Sequence, residues 1–150
     1  LLRRARAGRE AEAHPKGFVL IEADAALAEE MRANLATEST KAADWEAATF
    51  SVAHRGSGGE IEAAGQVHLS LGLAEIRQFW VAPALRGEGL GAKLLAEIEA
   101  EARRRGASRA ALDVYTWQAP AFFERQGYRA IGRLDYPGGA ERVWFVKDLA

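Results

Sequence analysis

The chain has 150 residues, of which 49% are apolar and 27% charged, enough for one domain with a real core. A formal net charge of −1 argues against a general binder of nucleic acid or of membrane surfaces. Without cysteine there are no disulfides, thiolate nucleophiles or cysteine-ligated zinc, which fits a cytoplasmic protein, and no apolar run is long enough to span a bilayer.

Residues 1–16 carry Arg3, Arg4, Arg6 and Arg9 without the apolar stretch of a signal peptide. They read as a flexible, solvated leader that includes His14, with the domain over residues 17–150. Phe18-Val19-Leu20-Ile21 reads as a first strand. Asp24 caps a following helix, and Leu27, Met31 and Leu35 recur every four residues as its buried stripe. Thr37 to Asp44 is polar and ambiguous, compatible with a second short helix.

Thr49 to His54 alternates, Arg55 to Glu60 is a turn by composition, and Gln66 to Leu71 alternates as a half-buried antiparallel strand. Ala74 to Val81 is the next strand, and the three form a meander. A helix striped by Leu90, Leu94 and Ile98 follows. Its outer face carries Glu99–Arg103 and Glu101–Arg105, four apart, and Gly106 ends it. Ala110 to Thr116 is a strand, Pro120 to Gln126 a short helix, and Tyr128 to Leu134 and Arg142 to Leu149 the last strands, with Pro137-Gly138-Gly139 turning between them. The fold class is α/β (α+β), a mixed sheet with helices packed on it.

The chemistry concentrates between strand and helix, in Phe79-Trp80-Val81-Ala82-Pro83-Ala84-Leu85-Arg86-Gly87-Glu88-Gly89-Leu90-Gly91-Ala92. Glycines at alternate positions let a backbone approach a ligand, and free N–H groups at a helix N-terminus form an anion site. A Walker-type loop is excluded, because Lys93 is one position late and no hydroxyl follows it. Gly87-x-Gly89-x-x-Ala92 formally matches a dinucleotide fingerprint, with Asp113 about 20 residues on as a ribose ligand. However, Ala82 to Arg86 separate the strand from the first glycine, and Asp113 falls inside a strand.

The remaining pattern, Arg-x-x-Gly-x-Gly at Arg86, Gly89 and Gly91, resembles the coenzyme A site of the GCN5-related N-acetyltransferase (GNAT) superfamily. Tyr115-Thr116-Trp117-Gln118-Ala119-Pro120-Ala121-Phe122-Phe123-Glu124-Arg125-Gln126-Gly127-Tyr128 is similar to that superfamily's later segment, and Tyr136-Pro137-Gly138 to a turn in one bacterial branch. The likeness runs from about Ile61 to Leu149. It implies a mixed, mostly antiparallel sheet of about six to seven strands and an acetyl-coenzyme A-dependent N-acetyltransferase.

By that resemblance the amides of Arg86, Gly87, Glu88, Gly89, Leu90, Gly91 and Ala92 bind the pyrophosphate, and the backbone of Phe79 and Val81 holds the pantetheine arm. This requires the strand to diverge from Ala110 to Thr116. Glu75, eleven residues before Arg86, falls on the family's general base; Arg77 is two residues on and on the same face, so an exposed Glu75–Arg77 ion pair is the alternative reading. Many members protonate the departing thiolate with a tyrosine where this chain has Phe123, which leaves Tyr115 as a spare phenol on the adjacent strand. Phe122 and Phe123 read as core. No metal is implied: His54 and His68 fall in strands without metal spacing, so both read as structural or, at most, as lining the acceptor end. Core packing is the expectation for Trp45, Trp80, Trp117 and Trp144, with Trp117 beside the cleft. The acceptor is a small-molecule or protein amine and the chain a monomer or homodimer. A non-catalytic acyl-coenzyme A-binding module is the alternative that Phe123 favours.

Overall fold

The computed structural model describes residues 17, 18, 20–42 and 47–150, so the leader, Val19 and the segment holding Trp45 lie outside the described residues. Two units divide between Thr37 and Glu38.

Helix α1 spans Ala25–Ala42. Asp24 caps it, its Oδ1 accepting from the N–H groups of Ala26 (2.8 Å) and Leu27 (3.1 Å). Three expectations change here. Among the described residues, Phe18, Leu20 and Ile21 are exposed and belong to no strand; a short apolar run has no periodicity of its own to mark it as one. The residues after Thr37 continue α1 to Ala42 rather than starting a second helix. Met31 and Leu35, expected to be buried, are 52% and 62% exposed. An i, i+4 row is one residue wide, and an N-cap with alanine, leucine and glutamate favours helix without burial.

The second unit holds one six-stranded sheet in the order β1-β2-β3-β4-β6-β5. Its strands are β1 (Ala47–Arg55), β2 (Ile61–Ser70), β3 (Leu73–Val81), β4 (Arg109–Tyr115), β5 (Arg129–Asp135) and β6 (Glu141–Asp148), with α2 (Leu90–Arg104) and α3 (Pro120–Arg125) between them. The expected meander is β1-β2-β3, and every pairing is antiparallel except β3 with β4. The turn before β2 closes through the Gly56 N–H on the Glu60 carbonyl (2.9 Å), and the last turn through the Gly139 N–H on the Tyr136 carbonyl (2.9 Å).

One face of the sheet meets α2. Leu94, Leu95, Ile98 and Ala102 pack there on Ala63, Val67, Ala74, Ile76, Leu112 and Phe145. Gly65 admits the helix: a Cβ there would lie 2.5 Å from Ile98 Cδ1. Glu99, expected on the outer face, is instead 6% exposed. Both of its oxygens accept from Lys147 Nζ at 2.9 Å, and one accepts from the Tyr128 hydroxyl at 3.2 Å, so the buried charge is paired and hydrogen-bonded.

β3 carries a bulge. Val67 faces Ile76 and Gln66 faces Gln78, which leaves Arg77 as the extra residue. The bulge shifts the alternation, so Ala74 and Ile76 point into the core before it, whereas Phe79 and Val81 do so after it. The strand bends away from β4 at this point.

Candidate active site

β3 and β4 pair only through Leu73–Arg109, Ala74–Ala110 and Glu75–Ala111. Beyond Glu75 the two strands part, although β3 stays paired to β2 as far as Val81 and β4 to β6 as far as Tyr115. This is the divergence that the family resemblance implied.

Hydrogen-bond alternation shows which groups face the gap. The Ala82 N–H donates to the Glu62 carbonyl at 2.8 Å. Antiparallel pairs alternate, so Trp80–Ala64 and Gln78–Gln66 are the bonded ones, and the main-chain groups of Phe79 and Val81 turn toward β4. On the facing wall the Thr116 N–H donates to the Glu141 carbonyl at 3.0 Å, which turns the main-chain groups of Asp113 and Tyr115 toward β3. The chain uses three of these groups itself. Arg86 Nε donates to the Val81 carbonyl (2.9 Å), the Tyr115 N–H donates to Gln118 Oε1 (2.9 Å), and the Tyr115 carbonyl accepts from the Gln118 N–H (2.8 Å). The N–H and carbonyl of Phe79 and the N–H of Val81 have no neighbouring strand.

A cavity of about 980 Å³ occupies the gap and reaches the start of α2. Phe79, Phe122 and Phe123 line it on the helix-bearing side of the sheet. Gln78, Trp80 and Asp113 alternate with core-facing neighbours and line it from the opposite side, so the cavity passes through the sheet. Phe123 is buried among Phe79, Phe122, Tyr128 and Phe145, with ring centroids 4.9–6.3 Å away.

The loop glycines divide two tasks. Gly87 and Gly89 have φ of +81° and +85°, and a Cβ on either would meet nothing within 4 Å. They permit a left-handed backbone at the helix start, where a side chain would project into open space. At Gly91 a Cβ would touch Phe122 at 3.4 Å and Val81 at 3.6 Å, so this glycine seats α2 against β3 and α3. Among the described residues, none of the N–H groups from Gly87 to Ala92 donates to a protein acceptor. They form a set of free donors at the positive end of a 15-residue helix, suited to an anion.

Arg86, Gly87, Gly89, Gly91 and Ala92 line the cavity together with Phe79 and Val81; Glu88 in the loop and Leu90, the first residue of α2, do not line it, and Leu90 packs on the core. Glu75 sits at the last paired position, immediately before the gap, and is half exposed. Arg77 Nε lies 3.4 Å from its Oε1, the ion pair that their spacing suggested. His68 is its cross-strand partner. His54 Nδ1 is 3.0 Å from Glu62 at the surface. Among the described residues no cluster of three or more His, Asp or Glu could hold a metal, and no helix is long and apolar enough to cross a membrane.

Tyr115 lies beside the cavity rather than in its lining. Its ring stacks on Trp117 (4.5 Å, 1°) and meets Tyr136 edge-on (5.6 Å). Arg142 Nε donates to Asp113 Oδ2 at 2.5 Å, Arg142 also reaches the Tyr136 hydroxyl at 3.3 Å, and its guanidinium lies 5.4 Å from the Tyr115 ring centre. Hydrogen bonding to Tyr136 holds the Tyr115 phenol above the ordinary value, while the Arg142 hydrogen bond draws Tyr136 below it. Sequence reasoning missed this cluster and the seal by Gln118, because Tyr115 meets Arg142 only through the β4–β6 register. Core packing was the expectation for Trp80, which is 45% exposed; Trp117, placed beside the cleft, is 68% exposed and lines the cavity. Trp144 is partly buried.

A family model described as the acetyltransferase (GNAT) family matches residues 21–128. A blasticidin-S acetyltransferase of Streptomyces morookaense is 35% identical over 106 residues, covering 68% of this chain and 74% of the relative. The crystal structure of an acetyltransferase from Bacillus cereus superposes with a TM-score of 0.74 at 26% identity, over 87% of this chain and 97% of its own. An aminoglycoside 6'-N-acetyltransferase solved with coenzyme A shares the fold, at a TM-score of 0.59 and 18% identity over 68% of each chain. The match spans most of the molecule and includes the parted strands and the glycine loop, and on that ground this chain belongs to the GNAT family of acetyltransferases and is an acyltransferase.

Proposed function

We propose that the protein transfers the acetyl group of acetyl-coenzyme A to the amine of a small molecule by direct attack. One observation carries this reading: the unpaired main-chain edge of Phe79 and Val81 leads to the free amides of Gly87 to Ala92. An extended amide-bearing arm can bond to such an edge as an added strand, and a pyrophosphate can sit on such a helix start. The similarity to blasticidin-S acetyltransferase favours a small molecule over a protein as acceptor.

In the reaction the amine nitrogen bonds to the acetyl carbon, the carbon–sulfur bond breaks, and the amine gives up a proton. An unpaired main-chain N–H at the gap is a donor for the carbonyl oxygen as charge develops on it. Glu75, at the closed end of the gap and oriented by Arg77, accepts the amine proton through water. Phe123 has no proton to give, so the departing thiolate takes one from water or from Tyr115.

The test mixes protein, acetyl-coenzyme A and a panel of amines and follows free thiol and acetylated product. Equal release of both is expected. Glu75→Gln should lower kcat by about 100-fold, as for loss of a general base, with coenzyme A affinity kept. Tight coenzyme A binding without thiol release on any amine would replace this reading with a non-catalytic acyl-coenzyme A-binding module. Binding of NADH but not coenzyme A would replace it with a dinucleotide site.

A further inference from the structure

Trp117 is the least explained large side chain near the cavity. It lines the cavity wall yet keeps 68% of its surface in water. One face of its indole lies flat on Tyr115, and Tyr115 is itself fixed by Tyr136 and by the guanidinium of Arg142. The indole is therefore held in place with its other face bare. By strand alternation Tyr115 and Asp113 lie on the side of the sheet opposite α2, and so does Trp80 on the facing wall. Two exposed tryptophans thus flank the cavity on the face of the sheet opposite α2.

The charges at the cavity narrow what enters. Among the described residues its charged lining is Arg77, Arg86, Asp113 and Arg125. The one carboxylate, Asp113, is taken up by Arg142. No free anion lines the walls, so a polycation gains no ion pair there, whereas a flat ring gains a rigid apolar face.

We propose that Trp117 is a stacking platform that selects an acceptor with a planar ring next to its amine and no more than one positive charge. This rests on the acetyl-transfer reading and deepens it by naming a substrate class. A ring stacked on an ordered indole loses little further freedom, and stacking of this kind is worth about tenfold in affinity.

The test measures kcat/KM with acetyl-coenzyme A for benzylamine, hexylamine and spermidine. Benzylamine should exceed hexylamine by about tenfold, mainly through KM, and spermidine should be the poorest. In Trp117→Leu the benzylamine-to-hexylamine ratio should fall toward one, and Trp117→Phe should restore part of it. Calorimetric titration of the coenzyme A-loaded protein with the two monoamines reads the same preference without turnover. Equal use of both monoamines, a ratio unmoved in Trp117→Leu, or spermidine as the best acceptor would overturn the proposal while leaving acetyl transfer intact. Ring-selective binding without acetyl transfer would uphold the platform and overturn the activity instead.

Discussion

Three tyrosines occur in the chain, and their phenols stand in three environments. Tyr128 is buried against Glu99, and burial pushes its phenol far above the ordinary value. Tyr115 is raised by hydrogen bonding to Tyr136, and Tyr136 is lowered because Arg142 donates to its oxygen. The signs follow by linkage. A lowered phenol adds stability above its unfolded value, near 10, that is lost as pH falls through the folded value. The two raised phenols add stability present below that value and lost as pH climbs through theirs, so the chain should weaken in alkali. Phenolate absorbance against pH should show one early step and two late ones. Tyr136→Phe should remove the early step, and Arg142→Gln should move it back toward about 10. Three coincident steps would disprove the network. None of this was legible in the sequence, because Tyr115, Arg142 and Tyr136 meet only once β4 and β6 are in register. Gly87, Gly89 and Gly91 were legible, since φ and close approach restrict the residue itself.

At the scale of the element, α2 carries the candidate site at its N-terminus and is clamped near its other end. The clamp is Glu99 to Lys147 on β6, with Tyr128 as a third partner. Sequence reasoning placed Glu99 outside because Arg103 follows four residues later, and that pair does exist at 3.7 Å. Local spacing cannot reveal a partner 48 residues away. The bulge at Arg77 was hidden for a similar reason. The string from Ala74 to Val81 reads simply as a strand, and only the register with β2 shows where it slips. Glu99→Ala should destabilise the protein by about 3 kcal/mol in urea unfolding, at the low end for a broken buried pair because Lys147 is partly solvated. Exchanging both partners, Glu99→Leu with Lys147→Met, should recover most of that loss. A loss under about 0.5 kcal/mol in the single variant would mean the pair contributes only as a surface bridge does.

The sheet as a whole is two three-stranded halves, β1-β2-β3 and β4-β6-β5, whose direct ladder is three residue pairs long. Its element order was legible from turns and alternation, and the parting of β3 from β4 was expected from the family pattern. The misread parts, Phe18 to Ile21 and the α1 stripe, are short apolar patterns whose burial depends on what packs against them. A molecule divided in this way should be unusually sensitive to what fills the gap. A ligand that bonds to the free edge of β3 and to the amides after Arg86 binds only the folded chain, so its binding energy adds directly to stability. At a hundredfold excess over Kd, coenzyme A should contribute about 2.7 kcal/mol. For a domain near 150 residues that raises Tm by roughly 5–10 °C, whereas NADH at the same concentration should leave Tm within about 1 °C. Amide exchange should slow most at Phe79, Val81 and Gly87 to Ala92, the groups left free by the fold. A rise in Tm with exchange unchanged at those amides would locate the ligand elsewhere, and the parted strands would then be a feature of the fold with no part in binding.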